Sequence, residues 1–132
     1  MDYKSLMEAA QSARERAYAP YSKFCVGAAL LCESGKVYTG CNIENASYSA
    51  TVCAERVAIF AALASGENRF VAMAISGGNA DEAGGFCAPC GVCRQVLTEF
   101  CQSDFSLVLG TAENYRVYTL GELMPLSFSL HD

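Results

Sequence analysis

The sequence carries no excess of positive charge. Its 9 lysines and arginines are outnumbered by 14 aspartates and glutamates, which gives a net charge of −5, and the basic residues form no cluster of the kind that docks on anionic lipid. The electrostatic attraction that drives most nucleic-acid binding is therefore missing. We expect neither a nucleic-acid partner nor a membrane-surface role, and a small-molecule substrate is favoured.

Long apolar segments are also missing. The N-terminus is charged and amphipathic, without the apolar run and cleavage site of a secretory signal peptide, and no other segment reaches transmembrane length. We therefore expect a cytoplasmic protein, in which the 8 cysteines are free thiols or metal ligands and not a disulfide framework. Histidine occurs once, as His131 near the C-terminal end, where a solvated side chain with no functional role is expected.

The chain is rich in apolar residues for its size. With 132 residues it fits one compact domain, residues 1–132, and is too short for two. Yet 52% of the residues are hydrophobic and the mean hydropathy is +0.20, although a domain of this size leaves much of its surface in contact with water. We therefore expect other subunits to cover part of the apolar surface.

Apolar periodicity predicts three helices. The first extends from about Asp2 to Ala17, the second begins near Cys53 and stops at about Gly66, and the third begins near Cys90. The packed face of the second helix is predicted to carry Val57, Phe60, Ala61 and Ala64. That of the third is predicted to carry Val92, Val96, Leu97 and Phe100.

Five β-rich segments accompany these helices. Residues 24–32 and 36–42 flank a tight turn and predict a hairpin, and residues 69–78 are continuously apolar, as is typical of a central strand covered on both faces. Residues 105–110 and 115–120 are joined by too few residues for a parallel crossover, which predicts an antiparallel pair. The order of elements indicates an α/β fold of three layers, α-β-α, around a mixed five-stranded sheet.

Cysteine spacing is the main chemical signal of the chain. Cys53 and Cys90 each stand where a predicted helix begins, and the exposed N–H groups of a helix N-terminus favour the thiolate that zinc requires. Two such junctions can meet at one edge of a sheet and supply three ligands, which leaves the fourth tetrahedral position open to water. Because Cys87, Cys90 and Cys93 form a C-x-x-C-x-x-C run, spacing alone leaves open whether Cys87 or Cys93 completes the site.

Glu55 lies two residues after Cys53. At that spacing its carboxylate can reach a water at the open metal position without displacing it, which makes Glu55 a candidate for moving protons. The alternative interpretation is structural, because an acidic residue in the first turn of a helix is stabilised by the helix dipole. The neighbouring cysteines favour the catalytic interpretation.

Two short motifs resemble the zinc-dependent cytidine deaminases: C-A-E at residues 53–55 and P-C-G-V-C at residues 89–93. The resemblance continues through Y-S-K-F at residues 21–24 and N-I-E-N-A at residues 42–46. It implies a cytidine deaminase-like fold of the small, homotetrameric branch of the family, in which three cysteines hold one Zn²⁺ per chain and active sites are shared between subunits.

The same resemblance implies the residues of the site. Its proline-first motif selects Cys90 and Cys93, which with Cys53 are the implied zinc ligands. Glu55 is the implied catalytic residue, and Arg56 is implied to donate to ligand sulfurs and so to offset the negative charge of three thiolates. The implied substrate-binding residues are Phe24, Asn42, Glu44, Ala46, Tyr48, Ala54 and Phe128.

The implied reaction is the hydrolytic deamination of cytidine and deoxycytidine to uridine and deoxyuridine with release of ammonia, a step of pyrimidine salvage. In this scheme Asn42 and Glu44 contact the sugar, Phe24 stacks on the pyrimidine, and Tyr48 and Phe128 reach a neighbouring subunit's site. Glu55 takes a proton from water, delivers it to N3, and later protonates the departing ammonia.

Three other functions are compatible with parts of the sequence. The first is deamination of another cytosine-bearing small molecule, as in the blasticidin-type deaminases, against which the intact N-I-E-N segment argues. The second is deamination of DNA or RNA, which would require a basic groove and aromatic stacking surfaces that an acidic chain does not offer. The third is a non-enzymatic zinc module, for which Cys87 is the nearby thiol that could close the coordination.

Overall fold

The computed structural model describes residues 1–130 of the chain. His131, for which no role is expected, lies outside the described residues. The helices and strands follow in the order α1 (Tyr3–Ala13), β1 (Phe24–Cys32), β2 (Val37–Cys41), α2 (Ala54–Ala64), β3 (Phe70–Asn79), α3 (Gly91–Phe100), β4 (Ser106–Gly110), β5 (Tyr115–Thr119) and α4 (Leu120–Leu123). Short 3₁₀ turns cover Arg14–Arg16 and Tyr48–Ala50.

The strands form one mixed sheet in the order β2-β1-β3-β4-β5. Strands β3 and β4 are parallel, whereas β1 is antiparallel to both β2 and β3, and β4 is antiparallel to β5. Both predicted hairpins are therefore confirmed. The parallel pair arises because α3 lies between β3 and β4 in the chain and returns it to the same edge of the sheet.

Helices cover both faces of the sheet. Ala72 and Ala74 of β3 pack with α1 on one face, while Met73 and Ile75 of the same strand pack with α2 and α3 on the other. Because successive side chains of a strand point to opposite faces, this continuously apolar strand is buried on both sides. The predicted three-layer α-β-α architecture is confirmed.

The first helix is shorter than predicted. The α-helical part ends at Ala13 and continues as a 3₁₀ turn, after which Ala17 is extended, with φ −59° and ψ 139°. The extended backbone lets Tyr18 form a parallel bridge with Ile43. That long-range pairing, added to the nearby Pro20, ends the helix before Ala17.

The predicted packed face of α2 is wrong for three of its four residues, since only Val57 is half-buried and lies against β2. Its buried apolar residues are Ala54, Ala58, Ile59 and Ala62. Phe60 is 46% exposed, and Ala61 and Ala64 are also exposed. The cause lies in β2, where a Cβ on Gly40 would be 2.5 Å from the Ala54 oxygen and 2.6 Å from the Ala58 nitrogen. Because glycine has no side chain, α2 can pack closely on β2 through the face that carries Ala54 and Ala58.

The predicted packed face of α3 is partly right. Leu97 is buried and Val96 packs against the core, whereas Val92 and Phe100 are exposed. Among the described residues, no helix is long and apolar enough to cross a membrane.

Candidate active site

Two helix N-termini bring three thiols together. Cys53 is the N-cap residue of α2, Cys90 is the N-cap residue of α3, and Cys93 is the third residue of α3. Neither N-cap thiol caps its own helix. The three sulfurs all lie within 4.8 Å of one another, and the Sγ atoms of Cys53 and Cys90 are 3.8 Å apart.

This spacing fits a tetrahedral zinc ion. Two thiolate sulfurs that each lie about 2.3 Å from a tetrahedral zinc are about 3.8 Å from each other. The separation of Cys53 and Cys90 matches that value, and three protein sulfurs leave one coordination position for another ligand. Cys87 is not part of this group of three sulfurs, which we call the metal cluster.

The surroundings of Cys53 favour its thiolate form. The Cys93 thiol and the Arg56 guanidinium both donate to its sulfur, the latter over 3.4 Å, and these contacts lower the pKa of Cys53 to about 5 against the opposing effect of burial. The same shared hydrogen bond, together with burial, raises the pKa of Cys93. The two thiols therefore titrate as a pair, and a bound cation would favour the thiolate form of both.

Glu55 lies in the first turn of α2 and is only 4% exposed. Burial, and after it the charge of Cys53, raises the pKa of this carboxyl to about 7. A carboxyl that titrates near neutral pH can both accept and release a proton under working conditions. The burial that makes the charged form costly is therefore compatible with a role in proton transfer.

Glu55 and two of the thiols face one cavity of ≈ 320 Å³, which is at the lower end of the range for small-molecule sites. The predicted site residues among its lining are Phe24, Asn42, Glu44, Cys53, Ala54, Glu55 and Cys90. Further lining residues are Ser22, Val26, Thr51, Val52, Cys87 and Ala88. The fold therefore brings the cysteine and N-I-E-N motifs, distant in sequence, to one place.

Asn42 ties β2 to the beginning of β1. Its Oδ1 accepts from the Val26 N–H at 2.9 Å, and its Nδ2 donates to the Phe24 oxygen at 2.8 Å. These bonds fix the backbone on either side of Cys25, directly after Phe24, which lines the cavity. The predicted sugar-binding residue thus also orders the strand that carries the predicted stacking residue.

Glu44 orders the loop ahead of β1 in a similar way. Its carboxylate accepts from the N–H groups of Tyr21 and Ser22 at 3.0 and 3.2 Å and from the Ser22 hydroxyl. Hydrogen bonds from Ser22, with that of Tyr21, lower the pKa of this carboxyl. Glu44 is accordingly held as a carboxylate at the cavity rim.

Three predicted substrate-binding residues do not line this cavity. Ala46 is exposed, and Tyr48, which is 76% exposed, lines an adjoining hollow of ≈ 370 Å³ that shares Ser22 and Glu44 with the cavity. Phe128 is 68% exposed in the segment after α4. Within one chain these side chains stay outside the site.

Cys87 is a cavity-lining residue whose role the cysteine spacing left open and to which the family resemblance assigned none. Burial raises the pKa of its thiol to about 11, so it stays protonated. A Cβ on Gly77 would lie 2.9 Å from the Cys87 sulfur and 3.1 Å from the Phe24 ring. The missing side chain of Gly77 therefore allows Cys87 and Phe24 to pack against the end of β3, a contact for which the sequence carries no signal.

Comparison with known proteins gives a consistent family assignment. Residues 1–109 match the family described as cytidine and deoxycytidylate deaminase zinc-binding region. The chain is 47% identical to a cytidine deaminase of Sporosarcina psychrophila over 133 aligned positions, covering 100% of this chain and 95% of the relative. It is 44% identical to a cytidine deaminase of Halalkalibacterium halodurans, covering 100% of this chain and 98% of that relative.

Solved structures agree with this assignment. The crystal structure of cytidine deaminase from Burkholderia pseudomallei superposes with a TM-score of 0.88 at 48% identity, covering 97% of this chain and 100% of that one. The enzyme from Mycobacterium tuberculosis gives a TM-score of 0.82 at 40% identity, with 98% and 99% covered. The family match and the cysteine cluster confirm the predicted zinc cofactor. The chain belongs to the cytidine and deoxycytidylate deaminase family.

Proposed function

We propose that this protein catalyses the zinc-dependent hydrolytic deamination of cytidine and deoxycytidine, giving uridine and deoxyuridine with release of ammonia. The observation that carries the proposal is the position of Glu55, a buried carboxyl that faces the same cavity as two thiols of the zinc-binding cluster. The cytidine deaminases at 47% and 44% identity support the assignment of the substrate and do not favour another cytosine-bearing compound.

Three thiols would hold the metal. Cys53, Cys90 and Cys93 would bind the zinc as thiolates, and the Arg56 guanidinium donates to the Cys53 sulfur and offsets part of the resulting negative charge. Zinc held in this way would lower the pKa of a bound water, so that a nucleophilic hydroxide is available at neutral pH, and would stabilise developing negative charge. The protein fixes where that water meets the substrate.

Glu55 moves the protons of the reaction. Its carboxylate takes one proton from water and passes it to N3 of the cytosine ring, while the water oxygen forms a bond to C4. Glu55 then transfers the remaining proton of that oxygen to the exocyclic nitrogen, the C4–N bond breaks, and ammonia leaves. A single carboxyl can serve both steps because burial sets its pKa at about 7.

The cavity lining supports a free nucleoside as substrate. Phe24 would stack on the pyrimidine, Asn42 and Glu44 would contact the sugar, and main-chain groups at Ala54 and Cys90 would orient the base. Ala46 belongs to the same N-I-E-N-A segment as Asn42 and Glu44. Among the described residues that line the cavity, none is a lysine or arginine, and nothing there would neutralise the phosphates of a polymer.

We further infer that the chain, as one domain, assembles into a homotetramer whose subunits share active sites. The exposed Phe60 on the outer face of α2, and the exposed Tyr48 and Phe128, support this inference. All eight cysteines are free thiols, in keeping with action in the cytoplasm. Light scattering should give about four times the chain mass of 14.1 kDa, and Phe60→Asp should lower it; a monomeric wild-type protein would refute the assembly.

An absorbance assay tests the proposed reaction. Zinc-loaded protein is mixed with cytidine or deoxycytidine, and the loss of cytosine absorbance is compared with the ammonia released. We expect equal amounts of ammonia and uracil nucleoside. No conversion of either nucleoside by protein that carries one zinc per chain would refute the proposal.

A further inference from the structure

Arg14 is a buried basic side chain outside the site described above. It begins the 3₁₀ turn after α1 and is 7% exposed. Its guanidinium donates to main-chain oxygens of four residues, namely Cys25 (2.9 Å), Glu82 (2.9 Å), Gly78 (3.1 Å) and Asn79 (3.1 Å). Since none of these acceptors is a carboxylate, Arg14 connects backbone segments and does not form an ion pair through these bonds.

The connected segments meet beside the cavity. In the β1–β3 ladder Cys25 is paired with Gly78, and Phe24 is paired with Asn79. The guanidinium therefore spans the open end of this ladder, where β1 begins and β3 stops. Phe24, whose ring lines the cavity, is the first residue of β1 and lies next to one of the carbonyls that Arg14 holds.

The second connected segment is the loop after β3, which leads to the metal cluster. A Cβ on Gly84 would lie 3.3 Å from the Arg14 Nη1 and 2.3 Å from the buried Ser76 hydroxyl, so this glycine, with φ +113°, lies against the guanidinium. Gln11, one turn earlier on α1, donates to the Ala83 oxygen at 3.1 Å. The end of α1 thus holds the last two residues of β3 and the following loop as far as Gly84, six residues before Cys90.

We propose that Arg14 is a positioning residue that sets the place of Phe24 on one side of the cavity and of Cys90 on the other. Removing its donors would take one hydrogen bond from each of these four carbonyls, of which that of Asn79 also accepts from the Glu82 N–H at 2.9 Å. The chain around them would relax to replace the lost bonds. Movement of Phe24 would weaken nucleoside binding, and movement of Cys90 would weaken the hold on zinc. The proposal takes the identity of the substrate and the metal from the proposed function, whereas the hydrogen bonds of Arg14 are independent of it.

The test compares Arg14→Met and Arg14→Lys with Arg16→Met. Arg14→Met keeps an unbranched apolar stem and loses every donor, whereas the lysine ammonium keeps up to three. Arg16 is exposed and makes one long bond of 3.4 Å to the Thr39 hydroxyl, so Arg16→Met serves as the matched control. For each folded, zinc-loaded protein, the rate of zinc transfer to a chelator, KM and kcat for cytidine, and circular dichroism are measured.

We expect Arg14→Met to transfer zinc about 10-fold faster and to raise KM about 10-fold, more than it lowers kcat. Arg14→Lys should show smaller changes in the same direction, and Arg16→Met should match wild type. If Arg14→Met does not fold, the changes in Arg14→Lys decide. Wild-type zinc transfer and KM in the folded variant, even with a lower Tm, would overturn the proposal. Failure of the wild-type protein to deaminate cytidine would refute the proposed function alone, because zinc transfer tests Arg14 separately.

Discussion

The Arg56 guanidinium donates a hydrogen bond to the Cys53 sulfur over 3.4 Å, one turn further along α2. Three thiolates around a zinc ion carry more negative charge than the ion can neutralise, which weakens its pull on the protons of a bound water. A cationic donor to one sulfur withdraws part of that charge. The hydrogen bond from Arg56 to Cys53 should therefore make the zinc a stronger acid toward its bound water.

Arg56→Gln should lower kcat by about 10- to 100-fold, because the uncharged amide withdraws less charge from the sulfur. Zinc content should stay near one per chain, since the three cysteines remain. Steady-state kinetics and metal analysis on the same preparation check both results. Arg69→Gln, at an exposed position away from the cavity lining, is the matched control, and wild-type turnover in Arg56→Gln would contradict the account.

The choice between Cys87 and Cys93 can be tested by metal content. Cys93→Ala should lose most of the bound zinc, because it removes one of three clustered sulfurs. Cys87→Ala should retain one zinc per chain, since this cysteine lies outside that cluster. Metal analysis after gel filtration distinguishes the two variants. Zinc loss in Cys87→Ala with retention in Cys93→Ala would mean that the ligand set is wrong.

The close approach of α2 to β2 predicts a stability effect at Gly40. An alanine Cβ there would meet the Ala54 oxygen and the Ala58 nitrogen at 2.5 and 2.6 Å, and such overpacking typically costs 1–3 kcal/mol. Gly40→Ala should therefore lower the free energy of unfolding by about that amount in chemical denaturation.

Gly91→Ala provides the control for this prediction. Gly91 is in the first turn of α3, and nothing lies within 4 Å of the position of its Cβ. Alanine favours helix over glycine, so the variant should be as stable as wild type or slightly more so. Equal unfolding curves for Gly40→Ala and wild type would show that α2 does not depend on this contact.

Local pattern and chain connectivity were enough to predict most of the fold. The continuous apolar run of β3 indicated a strand covered on both faces, and the short linker before β5 required an antiparallel pair. The packed face of α2 could not be predicted in this way, because apolar residues occur on both of its sides. Gly40 decides between them through a contact that only the folded chain makes.

The cysteine pair of α3 was predictable only from the family's proline-first motif, because spacing alone left Cys87 and Cys93 open. Cys90 and Cys93 stand at the N-cap and the third position of α3, and the motif located both. The role of Arg14 could not be predicted, because its partners are carbonyl oxygens of residues 25, 78, 79 and 82, and every residue type has such an oxygen. Placement of Tyr48 and Phe128 against another subunit stays a prediction.

The central claim is that Glu55, beside a zinc ion held by three cysteines, moves the protons of cytidine deamination. The most direct measurement is the turnover of Glu55→Gln, with zinc content determined on the same sample. Because the amide is similar in shape but cannot accept a proton, we expect one zinc per chain and a loss of kcat of about 10²-fold or more. A zinc-loaded Glu55→Gln protein that deaminates cytidine at the wild-type rate would contradict the claim.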